Sequence, residues 1–291
     1  MKRLALIAVF VFFAADFALL YGAQVSLDKG RDLHKRVEEL SVIPRGEYMK
    51  RASLGYDTLV ADFIWLKTIQ VMGSKTLPPE YADWIYHALD VLTDLDPKFE
   101  YAYRAGGIFL SAVTKSYDKS NDILKKGFYN NPDVWELPFY IGFNYFFRLD
   151  DYKHAAYYMG RAAELPGRPS FIPLLATRLY AESGDPRFAL ELIDRIYESA
   201  SDERVRAELR ARMDELIVEI NLDVLQRAVG EYKAKYGKYP PGVGELAASG
   251  ISRYPPKDPL GGQYLINPLT GEVTNTAMKR RLRVFKPGDK R

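Results

Sequence analysis

The chain contains no cysteine. That excludes disulfides, thiolate nucleophiles, cysteine-based metal sites and lipoprotein attachment, and it fits either side of a membrane. Histidine is scarce. His34, His87 and His154 lie far apart, and none belongs to an H-E-x-x-H or H-x-H set, so a zinc centre has no support. Also missing are a G-x-S-x-G nucleophile elbow, a P-loop lysine and a G-x-G-x-x-G turn. Gly106-Gly107 reads as close helix packing rather than a phosphate cradle. Asp150-Asp151 falls in a turn between helices, where aspartate is favoured for local hydrogen bonds. A strong charge of one sign is lacking too, since a net +3 over 291 residues gives no case for nucleic acid. Together these absences argue against an enzyme, and the sequence asks for neither metal nor cofactor.

What is present is ordinary folding material, 47% apolar and 27% charged, enough to bury a real core in one or two domains. Lys2 and Arg3 precede an apolar run from Leu4 to Ala23, broken by Asp16. About twenty helical residues at ~1.5 Å each just cover a hydrocarbon core of about 30 Å. Asp16 costs roughly 2.5–3.5 kcal/mol, against which the leucine, isoleucine, valine and phenylalanine residues return roughly 0.3–0.6 each, so the run still reads as a span. Tyr21 stands where signal cleavage after Ala23 wants a small residue, which favours an uncleaved anchor over a cleaved leader. The expectation is a transmembrane signal anchor over 1–23 in the inner membrane, with the body in the periplasm. Asp16 is then either a contact for a partner helix inside the membrane or a charge tolerated near a snorkelling end. Residues 24–52 read as a juxtamembrane linker, amphipathic at Leu33, Val37 and Leu40 and extended around Pro44.

From Ser53 a helix begins in which Leu59, Val60, Phe63, Ile64, Trp65, Leu66, Ile69 and Met72 are apolar nearly all round. That pattern predicts burial on several sides. Asp57, Asp62 and Lys67 interrupt it too soon for a second span. A helix from about Glu80 to Leu95 completes a first, degenerate hairpin. Beyond it the chain repeats. Gly107, Gly142 and Ala176 are each followed by a small residue (Ser120, Ala155, Ala189), then by a large one (Leu124, Met159, Ile193). Small residues suit the place where two antiparallel helices cross closely. Helices are expected at about 99–114 and 118–130, 133–149 and 151–165, and 170–183 and 185–199. Gly184-Asp185-Pro186 supplies a left-handed stop, a cap and a first-turn proline between the last two.

This beat of about 34 residues resembles the tetratricopeptide repeat family. The likeness covers roughly a third of the chain well, with one extra residue between the helices of each unit as a departure. It implies an all-α helical-hairpin solenoid over 53–201, about four hairpins, and a role in binding another protein. In that family the first helix of each hairpin lines a concave face. The matching partner-binding positions are Tyr101, Arg104, Phe139, Phe143, Phe146 and Tyr180, with Arg104 available for a carboxylate. The phenylalanines read either as a groove for an apolar or aromatic peptide, or as core covered by the chain's own C-terminus.

A long amphipathic helix over 202–236 suits the capping role that a solenoid requires, and Gly237 stops it. Residues 237–276 are rich in proline and glycine, with short strands expected at 263–266 and 272–275. The order Gly237-Lys238-Tyr239-Pro240, Gly244-Glu245-Leu246 and Asp258-Pro259-Leu260-Gly261-Gly262-Gln263-Tyr264 resembles the C-terminal globular part of type II secretion major pseudopilins. Leu260 replaces that family's tryptophan, the apolar pilin helix is not attached, and no calcium ligand set is carried over. This second likeness implies a small α+β module in an envelope setting. A basic tail over 277–291 suits either an anionic surface or plain solvation. The expectation for the whole is a membrane-anchored scaffold binding a protein of a cell-envelope assembly for secretion, piliation or transport. The alternative is an extracytoplasmic accessory domain, binding or enzymatic, for a small molecule or glycan.

Overall fold

The computed structural model describes residues 15, 17–26, 43–74, 78, 81–253 and 255–282. Most of the expected anchor, Asp16 included, lies outside them, although 17–26 are helical. Among the described residues no helix is long and apolar enough to cross a membrane. The protein is mostly helical and divides into two compact units, Met1–Asp96 and Pro97–Arg291.

In the first unit, α1 (Gly46–Ala52) and α2 (Asp57–Met72) both pack on α3 (Tyr81–Leu95). Helix α3 is buried on most sides, with Ile85, Ala88, Leu89 and Leu92 wholly enclosed. Gly46 is buried where any β-carbon would collide with Asp94, and the His87 ring meets the Ile43 carbonyl at 2.8 Å. Residues 46–52 are therefore a docked helix, which corrects the reading of 24–52 as a linker throughout. A second correction concerns α2. It buries Ala61, Ile64, Trp65, Thr68 and Val71, one side only, because α1 and α2 share α3 as their support.

The second unit stacks three hairpins in chain order: α4 (Glu100–Ala112) with α5 (Tyr117–Asn130), α6 (Glu136–Phe147) with α7 (Tyr152–Glu164), and α8 (Phe171–Glu182) with α9 (Pro186–Ser199). Each second helix packs on its own first helix and, for α5, α7 and α9, on the helix that follows. The crossings lie where small residues predict them. A β-carbon on Gly107 would sit 2.5 Å from Leu124 Cγ, and one on Gly142 2.9 Å from Met159 Cγ. Ser120 Oγ uses the close approach to donate to the Gly107 carbonyl at 2.7 Å.

The turns inside the hairpins repeat too. Lys115, Asp150 and Gly184 all take left-handed backbone, at φ 56°, 55° and 88°. Asp151 and Asp185 then cap the second helix through the amides of His154 and Phe188, with Pro186 in the first turn of α9. The third turn is one residue shorter. Ser116 N bonds to Leu110 O and Asp151 N to Tyr145 O, six residues back, whereas Asp185 N reaches Tyr180 O, five back. Glycine adopts positive φ without the steric cost carried by lysine or aspartate, which suits this tightest turn. The first helices accordingly keep a 35-residue beat (Pro138 to Pro173), and α8 is turned by one position from a 34-residue register.

Helix α10 (Glu203–Tyr236) is capped by Asp202 and ended by Gly237 at φ 73°. Its first half adds Leu209 and Leu216 to the hairpin core. The second half carries a separate core, Val218 to Tyr232, against α11 (Val243–Ala248) and the antiparallel pair β1 (Tyr264–Ile266) and β2 (Val273–Asn275), in which Leu265 faces Thr274. Gln226 accepts from Val273 N at 3.0 Å and donates to Gly271 O at 2.9 Å, fastening the hairpin to the helix. Asp258 is buried, accepting from Leu260 N and Asn275 Nδ2, each at 2.8 Å. The basic tail does not start free at 277: Arg281 pairs with Glu219 and Asp223, and Leu282 is buried in the hairpin core. This corrects the tail reading for its first residues, because a buried carboxylate on α10 requires a cation.

Two predictions follow from this packing. Gly107→Ala should lower stability by about 1–3 kcal/mol through overpacking. Gly230→Ala has nothing near its added carbon and should raise stability by roughly 0.5–1 kcal/mol; urea unfolding followed by circular dichroism separates the two. Burial pushes the Glu219 carboxyl above the usual range, with the Arg281 hydrogen bond pulling the other way. A raised folded pKa favours the fold at acid pH, and that benefit disappears as pH rises through it. Arg281→Met removes the opposing pull, so the variant should lose about 1–3 kcal/mol at neutral pH, less than a fully buried pair would because Arg281 is partly exposed. The loss should shrink toward pH 4.5, read as the gap between wild-type and variant melting temperatures.

Candidate functional site

Helix α6, Glu-Leu-Pro-Phe-Tyr-Ile-Gly-Phe-Asn-Tyr-Phe-Phe, has no conventional wet side. Leu137, Pro138, Ile141, Gly142, Asn144 and Phe146 are buried, while Phe139, Phe143 and Phe147 stand half-buried at four-residue steps on another side. A polar knot sets the rotation of the helix. Asn144 Nδ2 donates to Ser120 Oγ and to Asn121 Oδ1, each at 2.9 Å, and Asn144 Oδ1 accepts from Ser111 Oγ at 2.5 Å. These bonds join α4, α5 and α6 in a dry interior, where each group would otherwise be an unsatisfied polar atom. With Asn144 turned inward, the phenylalanine row is left on the first-helix side.

The row is a continuous ring surface. Phe139 lies 5.8 Å from Trp135 and 6.5 Å from Phe143, and Phe143 lies 4.5 Å from Phe147. Phe171 at the start of α8 meets Phe139 edge-to-face at 6.4 Å and is itself 52% exposed. On α4, Tyr101 is also half exposed. Arg104 Nη1 lies 2.7 Å from Glu136 Oε1, so its guanidinium already serves a carboxylate of this chain, which corrects the expectation that it waits for one from a partner. Past α8 an open cleft of about 280 Å³ lies among Ser170, Pro173, Leu174, Ile196, Val205 and Leu209, with Arg168 at its edge. Arg168 Nη1 donates to Leu165 O at 2.9 Å, and burial pulls the guanidinium below its ordinary value.

Two of the expected contact residues are core. Phe146 is 1% exposed, packed against Phe147 and Tyr152, because one step short of Phe147 it turns off the row toward the helix partner. Tyr180 is 8% exposed, its ring 4.7 Å from Phe188 and over Gly160; burial, with Glu164 and Asp185 nearby, pushes its hydroxyl up to about 12. The shortened last turn explains Tyr180. At the true 35-residue spacing, Tyr101, Glu136 and Phe171 correspond, as do Arg104, Phe139 and Leu174. Phe171 and Leu174 were thus legible from the Pro138–Pro173 match, and Trp135 from its place beside Glu136.

Comparison of the chain with protein-family models, with curated proteins and with solved structures finds no match. The site must therefore be read from its own chemistry. Among the described residues no three histidine, aspartate or glutamate side chains gather to hold a metal. The row offers aromatic faces and edges, a charged pair at one end and a mixed cleft at the other. Its chemistry is that of adhesion, since ring surfaces bury apolar area and accept edge-on or cationic neighbours.

Core and row are separable by truncation. Phe146→Ala should cost about 3–5 kcal/mol, and Phe143→Ala, whose ring is only partly buried, about 1–2 kcal/mol, both measured from denaturant midpoints.

Proposed function

We infer that this chain is a membrane-anchored adaptor of the tetratricopeptide-repeat kind. It holds an apolar or aromatic stretch of another cell-envelope protein against the first helices of its hairpins. The observation that carries the reading is α6, apolar on both sides, with Phe139, Phe143 and Phe147 packed on the hairpin core yet not fully buried. A helix built only for its own core would carry polar residues there. The C-terminal module supports the same reading by where it packs. Its core is built on the second half of α10, and among the described residues only Leu282 from beyond that helix joins the hairpin core. The pseudopilin-like order of residues 237–264 agrees with an envelope setting, and the run from Leu4 to Ala23 with an anchor.

A photo-crosslinking amino acid tests this on the native chain in membranes. Placed at Tyr101 and at Phe171, it should form adducts with one common protein. At Tyr129, 87% exposed on a second helix, it should not. Phe143→Glu should abolish the Tyr101 and Phe171 adducts while leaving the helical circular dichroism signal intact. Adducts that persist in Phe143→Glu, or that appear equally at Tyr129, would sink the adaptor reading.

A further inference from the structure

Helix α2 is the second place where the chain leaves an apolar helix side uncovered. Its buried side meets α3, yet the opposite side carries Leu59, Phe63 and Leu66 at steps of four and three, 51%, 60% and 51% exposed. Tyr56 extends the stripe and exposed Gln70 lies within it, while Asp62 and Lys67 fall to its flanks, with Ile69 beyond Asp62. Soluble surfaces rarely leave a contiguous patch of this kind bare. We propose that this stripe is a membrane-contact face, on which the first unit lies against the lipid headgroup and upper acyl region of the bilayer that holds the chain's N-terminus. The inference rests on the anchor reading of residues 1–23.

Two observations select lipid as the occupant. The first is proximity. Residues 27–42 separate the helical stretch 17–26 from Ile43, and sixteen residues reach at most about 55 Å even when fully extended. An anchor that close along the chain keeps the unit near the bilayer surface, so a weak interfacial affinity is enough. The second is the company the stripe keeps. Helix α1, which precedes it and packs on the same α3, carries exposed Tyr48, Lys50 and Arg51 after exposed Arg45. Tyrosine with arginine or lysine in the same unit as an apolar stripe is the composition of the headgroup level.

The absence of cysteine makes the test clean, because one introduced cysteine is the sole labelling site. Phe63→Cys, Leu66→Cys and, as a control on α9, Glu191→Cys each take an environment-sensitive fluorophore in the full-length chain. The labelled proteins are reconstituted into liposomes of phosphatidylethanolamine and phosphatidylglycerol, with and without brominated lipid. Labels at 63 and 66 should shift to the blue and lose intensity roughly twofold on bromination, while the label at 191 stays unchanged. If the chain floats with the liposomes but all three labels behave alike, the contact face is wrong and the anchor survives. Should the chain fail to float, anchor and face fall together. A blue shift at 63 and 66 that depends on protein concentration and ignores brominated lipid would mean that a second copy covers the stripe, which also overturns the proposal.

Discussion

Everything in the hairpin unit depends on how closely two helices can approach at each crossing. At Gly107 and Gly142 there is no room for a side chain, and the facing Leu124 and Met159 fill the space a β-carbon would take. Close approach brings backbone as well as side chains into reach, which is why Ser120 can bond to a helix carbonyl. It also fixes rotation, since a helix whose glycine must face its partner has no freedom left about its own axis. The Asn144 knot then locks the next hairpin to the first, in a setting where a missing partner would cost more than the bond itself contributes.

Rotation is what converts packing into a surface. Once Gly142 and Asn144 point inward, Phe139, Phe143 and Phe147 have only the first-helix side left, and Phe171 meets them from the next repeat. The same logic governs α2, where a single supporting helix covers one side and Leu59, Phe63 and Leu66 are left on the other. The chain thus carries two apolar helix sides that are not fully covered, each on a first helix. One is ring-rich and continues to Phe171 of the next hairpin; the other is a narrow stripe on α2.

Helix α10 serves two cores with one continuous backbone. Its first half closes the hairpins and its second carries the small sheet, and the Arg281 clasp on Glu219 and Asp223 falls near the junction. A buried carboxylate at such a point is costly alone, so its cation returns from the far end of the module. That clasp ties the module to the helix.

The sequence by itself determined what local chemistry can specify. Glycine and aspartate at the turns, proline in first turns, small residues at the crossings and the Gly237 stop placed nearly every helix end, and the β-hairpin was legible in the short strands expected at 263–266 and 272–275. Tertiary structure decided what lies against each face. Phe146 and Phe147 are neighbours in sequence with similar chemistry, yet one is core and the other borders the surface, because a single helical step separates the partner helix from solvent. Arg104 found Glu136 across 32 residues and Arg281 found Glu219 across 62, distances over which a periodic pattern carries no signal. The misplaced Tyr180 has the same origin, since one residue lost from a turn rotates the neighbouring register by about 100°. Periodicity shows which sides of a helix are apolar, but only packing settles which of those sides is covered, and by what.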